Sequence, residues 1–191
     1  KDAPKGQIVL GYSQEPTVFN PHMPPIEVDE GIHFAIFDAL FDVDGDGNFY
    51  PLLVTEVPTV ANGGVSVDGL TWKIKLRDDV KWHDGTAFTA EDVKFTFELL
   101  VNPDFRSWRP NGHELVRDLT VVSPTELTWT MSELYAPYMS ILASTFIVPK
   151  HAFDGVDPNE APFNNSPIGT GAFKWKSRVA GDNIQLEANA D

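Results

Sequence analysis

The stretch Asp68-Gly69-Leu70-Thr71-Trp72-Lys73-Ile74-Lys75-Leu76-Arg77-Asp78-Asp79-Val80-Lys81-Trp82-His83-Asp84-Gly85-Thr86-Ala87-Phe88-Thr89-Ala90-Glu91-Asp92-Val93 contains a strand, a turn and the start of a helix. Leu70 to Leu76 alternates apolar and polar residues strictly, the period of a strand with one buried face. Asp84-Gly85 is turn chemistry. Thr89 is a good helix N-cap, and Glu91 and Asp92 suit the positive end of the helix dipole. Asp92 also stands where a capping box usually places Glu. Val93, Phe97 and Leu100 then recur at helical spacing until Asn102-Pro103 stops the helix.

Outward from this stretch the chain is a mixed α/β pattern with strands joined mostly through local hairpins. Gln7 to Tyr12 is a short apolar run that reads as a buried strand. Ser13 to Pro25 holds four prolines, one of them in an Asn-Pro step, so an ordered irregular loop is expected. Gly31 to Leu40 puts Ile32, Ile36, Ala39 and Leu40 on one helical face. Asp42 to Gly47 is a turn between Phe41 and Phe49-Tyr50. Leu119–Val122 and Leu127–Met131 flank Ser123-Pro124-Thr125-Glu126 as a hairpin. Tyr135 to Leu142 suits a short helix. Phe173–Lys176 and Ile184–Glu187 suit a second hairpin, turning at Ala180-Gly181-Asp182-Asn183.

Composition narrows the function. Hydrophobic residues make up 42% of the chain, enough for a real core. The net charge of -14 repels nucleic-acid phosphates and anionic lipid, so nucleic acid is not an expected partner. There is no cysteine, which removes disulfides, thiolate metal sites and Cys nucleophiles. No apolar run approaches the ~20 residues that span a bilayer, so no direct membrane insertion is expected.

The chemical motifs are weak. Asp42, Asp44, Asp46 and Gly47 copy the start of an EF-hand loop, but its twelfth position is Leu53 instead of Glu, so a solvated hairpin tip is the better reading. His22, His33, His83, His113 and His151 include no pair at metal-ligand spacing. There is no G-x-S-x-G elbow. Gly169-Thr170-Gly171 lacks the third glycine of a nucleotide fingerprint. It reads as a tight turn or as backbone placed for close ligand approach. Trp108, between Arg106 and Arg109, is either a recognition element or the anchor of a long loop. From the residues alone this is an α/β domain without a catalytic, metal or cofactor signature.

Four segments in order carry a resemblance. Asp68 to Val93 is similar almost throughout to the pattern DGLTYTFKLRDGVKWHDGTPFTAEDV of the bacterial extracellular solute-binding proteins of family 5, departing at Asp79 and Ala87, both loop positions. Gln14 to His22 resembles the family's EPxxLDPH loop. Ile36 to Phe41, followed by Gly47 and Pro51-Leu52-Leu53, resembles a further family segment. Pro167 to Phe173 resembles PVGTGPY, with Ala172 and Phe173 replacing Pro and Tyr.

The resemblance implies the N-terminal lobe of a two-lobed periplasmic-binding-protein-like fold, a mixed sheet with hairpins and packed helices. Residues 1–40 and 168–191 would form an incomplete base of the first lobe, and 41–167 a subdomain on its side. The second lobe would lie outside this chain, which stops where the family continues. The function implied is that of a periplasmic, monomeric substrate-binding component of an ABC importer. It would hold a small molecule, most commonly a peptide, between two lobes for delivery to the permease, without bond chemistry and without a cofactor. By position, the ligand contacts implied on this lobe are Met23, Pro24, Pro25, Glu27, Trp108, Gly169, Thr170, Gly171 and Phe173. The Trp82-His83-Asp84-Gly85 turn is expected to be structural. A hydrolase, a chemoreceptor partner and a chaperone are the competing classes, since fold does not fix function.

Overall fold

The computed structural model describes residues 6–190; Lys1–Lys5 and Asp191, part of the expected base, lie outside them. The described chain runs α1 (Glu27–Ile36), β1 (Phe41–Val43), β2 (Phe49–Pro51), β3 (Thr71–Lys75), α2 (Ala90–Val101), β4 (Val116–Ser123), β5 (Glu126–Met131), α3 (Tyr138–Ser144), β6 (Phe173–Val179) and β7 (Asn183–Ala188). Three antiparallel sheets result: β1-β2, β3-β5-β4 and β6-β7. The three expected hairpins are all present. β3 alternates exposed and buried as its sequence does.

The α2 start shows how side chains hold the fold. The Asp92 carboxylate is buried. Its Oδ2 accepts the Thr89 amide at 2.9 Å and the Trp82 indole N–H at 3.3 Å. Its Oδ1 accepts the amide of Lys150, far along the chain, at 2.9 Å. Thr89 donates its hydroxyl to the same carboxylate at 3.4 Å, so Asp92 is the principal cap. α1 repeats the device. Asp29 Oδ2 accepts the Ile26 amide at 2.8 Å, and Oδ1 accepts those of Thr17 and Val18 at 2.7 and 3.2 Å. One acid thus both starts a helix and ties down a distant segment. Asp92→Ala leaves three N–H donors without their acceptor. It is expected to cost roughly 2–4 kcal/mol by urea unfolding, against about 1 kcal/mol or less for Thr89→Ala. Equal costs would refute the assignment of Asp92 as the cap.

Two apolar cores follow. In the first, Trp72 and Ile74 of β3 and Leu127 and Trp129 of β5 pack under Val93 and Phe97 of α2. Trp72 and Trp129 are cross-strand partners, and their rings stack at 5.8 Å and 4°. In the second, Ile32 and Ile36 of α1 meet Phe19, Phe37, Phe153 and Phe163, with Trp175, Ile184 and Leu186 of the β6-β7 hairpin packed against them. α2 serves both cores, since Leu99 turns into the second.

Three expectations need correction. Gln7–Tyr12 is not a buried strand: Ile8, Val9 and Leu10 are 84, 82 and 69% exposed. A strand exists only where another supplies its ladder, and among the described residues none pairs with this run. The first helix spans Glu27–Ile36 instead of 31–40. Asp29 starts it early, and the backbone turns extended at Phe37. Ala39 then bridges to Phe146, and the Leu40 carbonyl accepts the amides of Leu52, Leu53 and Val54. The third helix starts at Tyr138 because Pro137 takes the N-cap position, where its missing N–H is harmless.

Candidate functional site

The loop before α1 is a tight turn. Asn20 Oδ1 accepts the His22 amide at 3.0 Å, and Asn20 Nδ2 donates to Asn164 Oδ1 at 2.8 Å. This turn presents the carbonyls of Pro21 and His22 to the loop after α2. Trp108 donates its indole N–H to Pro21 O at 3.0 Å and its amide to His22 O at 3.1 Å. The same loop is pinned by buried Phe105 and by the Arg106 amide donating to Asn159 Oδ1 at 3.0 Å. Trp108 therefore anchors its loop and remains half-exposed. The Arg109 guanidinium lies 3.9 Å from the centroid of the Trp108 ring, a cation–π contact.

Trp108 and Arg109 form one wall of a cleft of about 250 Å³. Glu30 and Phe34 of α1, Asp42 of β1 and Phe146 are among its other lining residues. Phe34 is 69% exposed and meets Phe146 edge-on at 5.3 Å. His22 and His33 also line the cleft, their Nε2 atoms bonded to the carbonyls of Phe146 and Val18, each at 2.8 Å. Burial pushes His22 down to about 4, helped by the charges of His33 and Arg109. Burial also lowers His33, against the opposing pull of Asp29 and Glu30. Aromatic and neutral imidazole surfaces thus surround one guanidinium and two carboxylates. Such a surface can pack an apolar group and pair with charges of either sign.

The Asp42–Gly47 hairpin uses its acids internally. Asp44 Oδ1 accepts the amides of Asp46 and Asn48 at 2.9 and 2.8 Å, and Asp42 Oδ2 accepts the Tyr50 hydroxyl at 2.9 Å. These bonds, led by that from the Asn48 amide, hold Asp44 below the usual carboxylate range. Among the described residues no three His, Asp or Glu side chains are grouped to hold a metal ion.

The structure separates the residues singled out in the sequence into two groups. Met23, Pro24, Pro25, Glu27 and Trp108 belong to the N-terminal end of α1, with Met23 and Pro25 half-buried and Pro24 and Glu27 exposed. Gly169, Thr170, Gly171 and Phe173 lie at the other end. The Gly171 amide donates to Ile36 O at 2.8 Å, and α1 puts roughly 14 Å between its ends. A Cβ on Gly169 would collide with the Ile36 carbonyl oxygen, and one on Gly171 would lie 2.8 Å from that carbonyl. These glycines are required by a close backbone approach. His83 engages further polar groups of the turn: its amide donates to Gly169 O at 2.9 Å, and its ring contacts Gly169 N and Gly171 O, an oxygen that also accepts the Asn189 side-chain amide at 3.1 Å. Thr170 donates its hydroxyl to Asp38 Oδ2 at 2.9 Å. Phe173 is 42% exposed at the start of β6. Glu30 and Phe34 gave no sequence signal, because neither stands in a motif and tertiary packing alone brings them to Trp108 and Arg109.

This architecture is that of the periplasmic substrate-binding proteins. It superposes on the Bacillus subtilis oligopeptide-binding protein AppA in complex with a nonapeptide with a TM-score of 0.82 at 29% identity, covering 92% of this chain and 34% of that one. On NikZ from Campylobacter jejuni in complex with Ni(L-His) the TM-score is 0.81 at 30% identity, with the same coverages. In sequence, the chain is 31% identical to AppA of Bacillus subtilis over 191 residues, which is 97% of this chain and 34% of AppA. Residues 48–191 match the profile of the bacterial extracellular solute-binding proteins, family 5 Middle, and the chain belongs to that family. It spans about a third of the length of the curated relatives it matches. No helix among the described residues is long and apolar enough to cross a membrane.

Proposed function

We propose that the protein is the substrate-binding component of an ABC importer, a periplasmic monomer that captures a small solute, a peptide by first choice, and presents it to the permease. The chain supplies part of the first lobe: residues 1–40 and 168–191 contribute an incomplete base and 41–167 its side subdomain, and a second lobe closes over the ligand. Binding and hinge closure are the whole mechanism, and no bond is made or broken. The observation that carries this reading is the cleft wall of Trp108 and Arg109, fixed against the Pro21-His22 turn and facing Glu30 and Phe34. A peptide fits it by chemistry, having apolar side chains for the aromatic surfaces and charged termini for Arg109 and Glu30. Met23, Pro24, Pro25 and Glu27 border the same end of α1. At the far end, Thr170 and Phe173 offer the ligand contacts, while Gly169 and Gly171 set the turn that presents them.

The test is calorimetric titration of the protein with a mixture of di- to nonapeptides, together with mass spectrometry of small molecules released on denaturation. Peptide binding weakened about tenfold or more by Trp108→Ala is the expected result, the size of effect a central aromatic anchor gives. Release of a metal chelate with no heat from peptide would replace peptide as the cargo. Binding untouched by Trp108→Ala would move the site away from this cleft.

A further inference from the structure

His83 lies outside the cleft, in the turn before α2, yet its ring touches both ends of the Gly169-Thr170-Gly171 turn. The Gly169 amide donates to Nδ1 at 3.1 Å, and Nε2 lies 2.9 Å from the Gly171 carbonyl oxygen. An amide can only donate and a carbonyl can only accept. Nδ1 must therefore carry the lone pair and Nε2 the proton, which makes the ring neutral. We propose that His83 is a proton-controlled latch: as the neutral Nε2–H tautomer its ring staples the 169–171 turn to the turn before α2, and protonation of Nδ1 breaks that staple. A proton on Nδ1 would set one N–H against another, so the bond from Gly169 has to break.

The charges around the ring come from each packed segment. Lys174 of β6 donates its Nζ to the His83 carbonyl at 3.4 Å. Asp38, just past α1, is bound to Thr170 and senses Arg77. Asp84, in the same turn, pairs with His151 Nε2 at 2.7 Å. Lys174 opposes protonation, while Asp38 and Asp84 favour it. Burial outweighs them and holds the ring below the usual 6.5. The latch is accordingly closed at neutral pH and opens as acid titrates the ring. The turn leads directly into β6, so opening loosens the attachment of the β6-β7 hairpin to the turn before α2. This device is independent of what the cleft binds.

Long-range ¹H–¹⁵N correlation of the histidine rings tests the tautomer, and hydrogen exchange of the Gly169 amide tests the latch. At pH 7 the expected spectrum has Nε2 protonated and Nδ1 bare. Gly169 protection, corrected for the intrinsic rate, should fall roughly tenfold across the ring's own titration, the factor one net hydrogen bond supplies. His83→Asn keeps an acceptor near the Nδ1 position and does not titrate, so Gly169 protection should lose this pH dependence. An Nδ1–H tautomer or a charged ring at pH 7 would overturn the proposal, as would identical Gly169 profiles in the wild type and His83→Asn.

Discussion

Gly169→Ala should destabilise the protein by on the order of 3–5 kcal/mol, far more than the same change at an unobstructed glycine such as Gly45. The new methyl group would be driven into the Ile36 carbonyl, which is backbone at the end of α1 and already accepts the Gly171 amide at 2.8 Å. Neither side can yield cheaply. Moving the turn breaks three contacts to His83, and moving Ile36 displaces a buried side chain of the second core. Gly45→Ala is the control, since nothing lies within 4 Å of its added Cβ, and it should change stability by about 0.5 kcal/mol or less. Urea unfolding of both variants decides the matter. Similar midpoints would show that the 169–171 turn does not sit against α1 as described.

Acidification should remove stability before any ordinary carboxylate titrates. His22 is buried and held at about 4, and His113 is buried and held at about 3, each chiefly by desolvation. His113 Nε2 bonds to Thr145 Oγ1 at 3.0 Å, and the Thr145 hydroxyl donates to Ile141 O at 2.8 Å, so Nε2 carries the proton. Among the described residues its Nδ1 has no hydrogen-bond partner and lies among aromatic rings, with Phe97 at 4.5 Å and Tyr138 at 5.8 Å between centroids. A proton there would be a buried, unpaired charge. The sign follows directly. The unfolded chain binds these protons near pH 6.5 and the folded chain does not, so unfolding takes up protons and stability falls as pH drops. The loss begins near 6.5 and continues down to the folded values. Between pH 6.5 and 4.5 each ring costs roughly 2–3 kcal/mol, or on the order of 5 kcal/mol for the pair. Unfolding free energies measured across that window check the prediction, and a flat profile would contradict it.

Where the sequence read well, neighbouring residues carried the information. The Leu70–Leu76 alternation, the three hairpin turns and the α2 start with Thr89 and Asp92 each lie within a few residues of the groups they pair with, so local period and turn chemistry sufficed. The order of the Asp68–Val93, Gln14–His22 and Pro167–Phe173 segments was enough to point to the family. The readings that failed depended on partners distant in sequence. Gln7–Tyr12 has an apolar run but no paired strand among the described residues, and a ladder needs two sides. The α1 boundaries follow from Asp29 capping Ile26 and Gly171 meeting the Ile36 carbonyl, neither visible in a helical period.

The sequence by itself determined the family, and it singled out the aromatic residue Trp108 and the glycines of the Gly169-Thr170-Gly171 turn as candidates. Tertiary structure alone decided that Trp108 rests on Pro21 and His22 while Phe34 and Arg109 share its cleft, and that the glycines serve a contact between α1 and the His83 turn. The reason is physical. Side-chain period and turn propensity act over one to four residues, whereas a cleft is set by hydrogen bonds and packing between segments far apart in the chain, as in the 87-residue separation between Trp108 and Pro21.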